Sequence, residues 1–333
     1  MSTEATVSAP TEDRHPGTAG IDGLSTLEIL RVLNAEDATV PGAVAEVLPA
    51  LAALVDLAVA AVEAGGVIHY VGAGTSGRLA VLDAAELLPT FNAPDGLVVA
   101  HHAGGGEALV RAVENVEDDA EQGRADVDAV TAADVVVGLT ASGRTPYVGG
   151  ALALARERGA VTALVSSNPE AELAPLADHF LPVATGAEAI TGSTRLKAGT
   201  AQKLVLNAFS TAVMVRLGRT WSNLMVDVVA TNAKLRGRVL RILREASGAS
   251  EDDARRALED ADGELKPALV TLLCGSGAEE ARAALRGNGG SVARALAALG
   301  ATGPNGAAPH PASPRTTTPA AHPVATVPTG DPA

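Results

Sequence analysis

The sequence predicts an α/β sandwich: a doubly wound parallel sheet covered on both faces by helices, with further flanking helices and a small all-helical module near the C-terminal end. Between residues 67 and about 185, five short β-branched runs alternate with helical patterns. Near-continuous apolar strands separated by helices mark a parallel sheet buried on both faces. The length, 333 residues, leaves room for such a sheet and more, since a typical domain holds ~100–200 residues. Composition is 47% hydrophobic but only 2% aromatic, so the core must be built from Ala, Val and Leu, with 35 glycines to bend the backbone.

Taken in chain order, residues 1–20 form an N-terminal arm. Ser25 then opens a helix, and Glu28 three residues on completes a capping-box signature. Pro41 begins a second helix running to about Ala64. The runs VIHYV (67–71), LVVA (97–100), DVVVGL (134–139), VTALV (161–165) and HFLPVAT (179–185) are the expected strands. After them, Leu196 to Leu217 and Asn223 to Leu235 read as long helices. Gly248, Gly263, Gly275 and the glycines at 287–290 punctuate a helical stretch, in which Ser250 and Gly277 precede acidic first turns favoured by the helix dipole. The expected organisation is an arm over 1–20, a main domain over 21–238, a helical module over 239–299 and a tail over 300–333. From Ala301 onward the tail holds eight of the nineteen prolines and only Arg315 and Asp331 as charges. It buries too little apolar surface to offset its ordering entropy, and is expected to be disordered.

Charge narrows the partners. The chain carries 39 acidic against 25 basic residues, a formal net charge of -14. Because the tail is neutral, the acidity belongs to the body, and it repels a polyphosphate backbone. Few aromatics also leave no stacking platform for single strands, so no nucleic acid is expected. No uncharged run before the tail reaches the ~20 residues that span a bilayer, so no membrane is expected either. One cysteine, Cys274, makes neither an internal disulfide nor a thiolate zinc cage, and no secretory signal opens the chain. A reducing, cytoplasmic setting follows.

The chemistry is expected at the carboxyl ends of the strands, where doubly wound sheets bind ligands. The first such end reads Gly72-Ala-Gly-Thr-Ser-Gly-Arg. Its glycines allow close backbone approach, while amide groups and the hydroxyls of Thr75 and Ser76, beside Gly77, face an anion. Gly72, Gly74 and Gly77 have dinucleotide-fingerprint spacing, but the next strand ends in His101 and His102, not in the acid that would hold a ribose. The third end, Thr140-Ala-Ser-Gly-Arg-Thr-Pro, repeats the device with Ser142, Gly143, Arg144 and Thr145. One such loop is an ordinary capped turn; two at one sheet edge suit a monophosphorylated sugar, which needs donors for a phosphate and several hydroxyls. Ser193, Thr194, Arg195 and Lys197 precede a long helix. Lys197 and Arg144 are the expected cations for substrate anions, and Glu188 in the same loop is placed to receive a sugar hydroxyl. His101 and His102 lack carboxylate or thiolate partners at ligand spacing, so no metal is expected.

The blocks GAGTSGR, LDAAELLPT, AVENVEDD, VVVGLTASGRTPYV, TGSTRLKAGTAQKLVLN and NLMVDVVATNAKL, in this order, closely resemble the bacterial N-acetylmuramic acid 6-phosphate etherases, members of the sugar-isomerase (SIS) superfamily. The resemblance runs from about Thr11 to Leu296. It implies an SIS-type fold and a homodimer without metal or organic cofactor. The implied reaction cleaves the D-lactyl ether of N-acetylmuramic acid 6-phosphate with water, giving N-acetylglucosamine 6-phosphate and D-lactate in cell-wall recycling. Such chemistry needs a base at C2 and an acid at the C3 oxygen.

The resemblance places the general acid at Glu86, which lies among apolar residues, a setting that favours the protonated carboxyl. It places the second glutamate, read as the C2 base, at Glu117. From the residues alone Glu114 and Glu117 are equivalent, since i and i+3 share a helical face; Glu114, Asp118 and Asp119 are read as a solvated face. Asp83 is expected as a structural partner, capping or pairing with Arg78. Where the family has Asn in the arm this chain has His15, and where it has a polar residue this chain has Leu87, read as a packing change. A helix continuing from Gly77 to Glu86 would put the carboxylate ~14 Å from the phosphate turn, at 1.5 Å per residue. Either that helix ends near Ala84, or Glu86 serves a site completed by a second subunit, and the site is expected near a subunit interface. Two competing functions, a non-catalytic SIS sensor of sugar phosphates and an aldose–ketose isomerase, do not need both glutamates.

Overall fold

In the computed structural model the described residues are 9–111, 113–228 and 233–301. A helix α1 (Thr26–Asp37) and a helix α2 (Val40–Glu63) precede the sheet. Ser25 and Glu28 form the expected capping box, and Pro41 lies in the first turn of α2. Then follow β1 (Ile68–Gly72), α3 (Gly74–Phe91), β2 (Val98–His102), α4 (Gly105–Val110), α5 (Ala120–Asp126), β3 (Val135–Thr140), α6 (Pro146–Glu157), β4 (Val161–Ser166), β5 (His179–Pro182) and α7 (Lys197–Arg216). All five expected strands are present. They form one parallel sheet in the order β2-β1-β3-β4-β5.

Strand side chains alternate between faces. Ile68, Tyr70, Val135, Val137, Leu139, Val165 and Leu181 share a core with α2, α3 and α7. Val71, Val136 and Leu164 point the other way, into a core with Tyr147, Val148 and Leu152 of α6. Although α1 and α2 together are long and apolar enough by composition to cross a bilayer, α2 is a core helix, with Val40, Leu54 and Ala58 buried against the sheet side. Glu46 and Asp56 interrupt this apolar run, so it holds no long uncharged stretch.

The helix expected over Asn223 to Leu235 is not formed at its start. Instead β6 (Thr220–Trp221) and β7 (Leu224–Met225) make an antiparallel hairpin, with Ser222 at a φ of 51° in the turn. Thr220 and Trp221 favour extended backbone, and Trp221, Leu224, Met225 and Val226 pack on the third core. That core gathers α8 (Ala233–Ser247), α9 (Glu251–Asp260), α10 (Leu265–Cys274), α11 (Ala278–Gly287) and α12 (Val292–Ala298). Residues 1–8 and the tail from 302 on, for which an arm start and disorder are expected, lie outside the described residues.

Candidate active site

The strand order reverses at β1 and β3: the chain leaves β1 toward β2 on one side and β3 toward β4 on the other. Crevices for ligands form at such a switch point, and Gly72 pairs with Leu139 across it, which sets the turns after β1 and β3 side by side. Gly74 to Ser76 are the first residues of α3, and no side chain caps them, so their amides have no intrahelical partner. The helix can start this close to the strand because residue 77 is glycine: a Cβ there would lie 2.4 Å from the Gly72 carbonyl oxygen and 2.7 Å from the His102 ring.

The second turn is braced from within. The Thr140 hydroxyl lies 2.7 Å from that of Thr145 and accepts the amide of Gly143 at 3.2 Å. Asn168 donates to the Ser142 carbonyl at 3.0 Å. Gly143 takes a φ of +77°, and a Cβ there would lie 2.3 Å from the Ala171 Cβ. Thr145 sits at the N-cap of α6 with no capping bond of its own. The start of α7 also reaches the crevice, since a Cβ on Gly199 would touch the Thr75 methyl at 3.4 Å. Thr75, Ser76, Gly77, Ser142, Gly143, Arg144 and Thr145 therefore gather at one sheet edge, with the 193–197 segment beside them.

Two expectations in that segment are corrected. Lys197 is not an open cation: its ammonium is 2.7 Å from Glu36 and only 5% of its side chain is exposed. Glu36 also meets His15 at 3.1 Å, and the Lys197 hydrogen bond holds its carboxyl below the usual range. Glu188 is not an open acceptor: it is buried, and its two oxygens already accept the amides of Lys197 and Ala198 at 2.9 and 3.0 Å, capping α7. Burial nonetheless pushes its carboxyl upward. The arm reaches the same loop, where Gly192 donates to the Thr11 carbonyl and Thr18 to that of Ala189. His15 accordingly has an internal partner set, Glu36 and the Gly17 amide.

Glu86 lies on α3, which continues without a break to Phe91. The early helix end near Ala84 is thereby excluded, and the carboxylate stands ~14 Å along the axis from the turn of its own chain. Its own fold does not bury it: Glu86 is exposed, because it faces away from Leu87 and Phe91, which enter the core. It lines a cleft of about 400 Å³ between α3 and α7, with Asp83, Lys203 and Asn207. Asp83 is a structural partner, though not of Arg78: it accepts from Tyr70 at 3.1 Å and Ser210 at 3.0 Å. Burial raises its carboxyl, and those two bonds partly offset the rise. Arg78 instead donates to the carbonyls of Ala108, Leu109 and Arg111 at the end of α4.

Glu117 is exposed in a short 3-10 turn, Val116–Asp118, that packs on α6. The helical face expected to join it to Glu114 does not exist, because Asn115 interrupts the chain with a φ of 63°. Asp119 is not merely solvated; it caps α5 by accepting the Gln122 amide at 2.8 Å. His101, weighed from the sequence only as a metal ligand, pairs with His69, which sequence reasoning missed: their ring nitrogens lie 2.9 Å apart, and burial lowers His101 to about 4. The alternation of β1 with β2 in register carries the signal for this pair. Among the described residues no three His, Cys, Asp or Glu converge as a metal site would need.

Residues 50–156 match the family described as glucokinase regulatory protein N-terminal SIS domain, and residues 110–212 the SIS domain. The N-acetylmuramic acid 6-phosphate etherase of Thermobifida fusca is 65% identical over 267 residues, covering 80% of this chain and 88% of that relative. The same-named protein of Pectobacterium atrosepticum is 55% identical over 287 residues, covering 86% and 95%. Among solved structures, a phosphoheptose isomerase from Francisella tularensis aligns with a TM-score of 0.45 at 19% identity, over 58% of this chain and all of that one.

Proposed function

The chain belongs to the N-acetylmuramic acid 6-phosphate etherase family, and from that premise we propose that it is a carbon–oxygen lyase acting on the D-lactyl ether of N-acetylmuramic acid 6-phosphate. The observation that carries this reading is the pair of hydroxyl-rich turns meeting at the switch point. The uncapped amides at Gly74 to Ser76 and the hydroxyls of Thr75, Ser76, Ser142, Thr145 and Ser193 hold the phosphate and sugar, by dipole and hydrogen bond more than by net charge. Arg144 adds a cation to that edge.

An ether oxygen leaves poorly, so the ring first opens to a C1 aldehyde that acidifies the C2 proton. Glu117 takes that proton, the C3–O bond breaks, and Glu86 gives its proton to the departing lactyl oxygen. The product is a C2–C3 alkene conjugated to the aldehyde. Water then adds its hydroxyl to C3 and a proton returns to C2, which leaves N-acetylglucosamine 6-phosphate and D-lactate with every atom accounted for. The two glutamates end with their protons restored.

Both carboxylates complete their site across a homodimer interface. The length of α3 supports this, as do its exposed Leu82 and Leu88, at 55% and 56%. So does α1, which buries no residue in its own chain and exposes Leu27 and Leu30. A second copy covering these faces would also supply the apolar setting that Glu86 lacks alone. The single free thiol, Cys274, fits a cytoplasmic setting.

Turnover in heavy-oxygen water tests the mechanism. Label is expected at C3 of the amino sugar and not in the free D-lactate; label in lactate would overturn elimination followed by hydration.

A further inference from the structure

Among the described residues, the lining of the cleft that holds Glu86 includes one cation. Lys203 of α7 lines it from the facing helix, is exposed, and among the described residues no carboxylate stands within ion-pair distance of its ammonium. Asp83 in the same cleft is committed to Tyr70 and Ser210. Lys197, one of the two cations that the sequence put forward, is paired with Glu36; the other, Arg144, stands at the turn after β3. An unpaired ammonium therefore shares a cleft of about 400 Å³ with the glutamate assigned as acid, between apolar walls that include Leu82 and Leu206.

The leaving group imposes a matching geometry. In a lactyl ether one carbon separates the ether oxygen from the carboxylate, and that carbon carries a methyl group. Whatever protonates the oxygen must therefore stand within a few bond lengths of whatever holds the carboxylate. The protein also needs a local positive charge there, because its formal net charge of -14 opposes a substrate bearing both phosphate and carboxylate. We propose that Lys203 is a specificity residue that binds the lactyl carboxylate and so selects an ether that carries a carboxylate over one that does not. The assignment rests on the etherase reading above.

The test compares two ethers on the full-length chain: N-acetylmuramic acid 6-phosphate, and the 3-O-isopropyl ether of N-acetylglucosamine 6-phosphate, in which a methyl replaces the carboxylate. Lys203→Met is expected to lower kcat/KM for the lactyl ether by about 10–100-fold, chiefly through KM, the usual worth of hydrogen bonds to a charged group. Its kcat/KM for the isopropyl ether should stay within about twofold of wild type, and Lys203→Arg should recover part of the loss, because a charge is restored. If Lys203→Met does not fold, Lys203→Gln carries the same comparison. Equal losses on both ethers, or no loss on either, would overturn the assignment. A wild-type chain that leaves both ethers intact would overturn the etherase reading itself and the assignment with it.

Discussion

Gly77→Ala probes the turn proposed to hold the phosphate. The added Cβ would stand 2.4 Å from the Gly72 carbonyl oxygen, whereas ordinary contact begins at 3.4 Å, so strand and helix must separate by about 1.0 Å. The His102 ring, at 2.7 Å on another side, blocks a simple rotation of the helix, and His102 is itself buried. Overpacking of this kind costs about 1–3 kcal/mol, or a melting point lower by about 2–4 °C for each kcal/mol. The functional loss should be larger in proportion, because a 1 Å displacement of a positioning group can cost about 10²-fold in rate. Calorimetry gives the first quantity, and kcat and KM for lactate release give the second. Gly66→Ala is the control. Its Cβ would stand 2.0 Å from the Ala133 carbonyl oxygen at the amino end of the same strand, so it should lose stability while KM is unchanged below its melting point. A folded Gly77→Ala enzyme with wild-type KM and kcat would refute the role of this turn.

Glu86→Gln and Glu117→Gln should each slow lactate release by about 10²–10⁴-fold, the usual contribution of a general acid or base, while phosphate binding measured by calorimetry persists. Two fully active variants would remove both assignments. Asp83 gives a pH signature. Its carboxyl is raised in the folded chain, so between the ordinary aspartate value of about 3.9 and the raised folded value the native state binds more protons than the unfolded one. Stability from this group therefore falls as pH rises through that window and is flat above it. The urea midpoint of wild type minus that of Asp83→Asn should decline over this range; a difference that rises or stays level would contradict the burial of Asp83 as the cause.

Secondary structure was legible where period and punctuation agreed. The five strands were readable as apolar runs, the Ser25–Glu28 box and Pro41 as helix starts, and the two Ser/Thr segments as strand-to-helix turns. What the sequence could not carry was which groups would already be spoken for. Lys197 looks like a cation poised at a helix start, yet Glu36, 161 residues away in the chain, closes on it. Glu188 looks like a hydroxyl acceptor, yet the free amides at the start of α7 claim both its oxygens. Asp83 lies three residues before Glu86 on one helix, but a rotation of the helix sends one into the core toward Tyr70 and leaves the other in solvent.

By itself the sequence determined the α/β sandwich, the glycine and hydroxyl content of the turns and the family to which the chain belongs, because these depend on local periodicity, on turn chemistry and on ordered blocks of residues. The strand order 2-1-3-4-5 was a matter of tertiary structure, and so was the meeting of the turns after β1 and β3, which follows from register between strands 67 residues apart. The unbroken α3, which carries Glu86 away from the turn after β1 of its own chain, was settled by packing: Leu87 and Phe91 enter the core and hold the helix past the point where a short one would have ended. The net charge of -14 is legible in any count of residues, but only the folded chain separates the cations already paired, such as Lys197, from one left open in a cleft, Lys203. Charge is additive along a sequence, whereas its availability depends on what lies within a few ångströms in space.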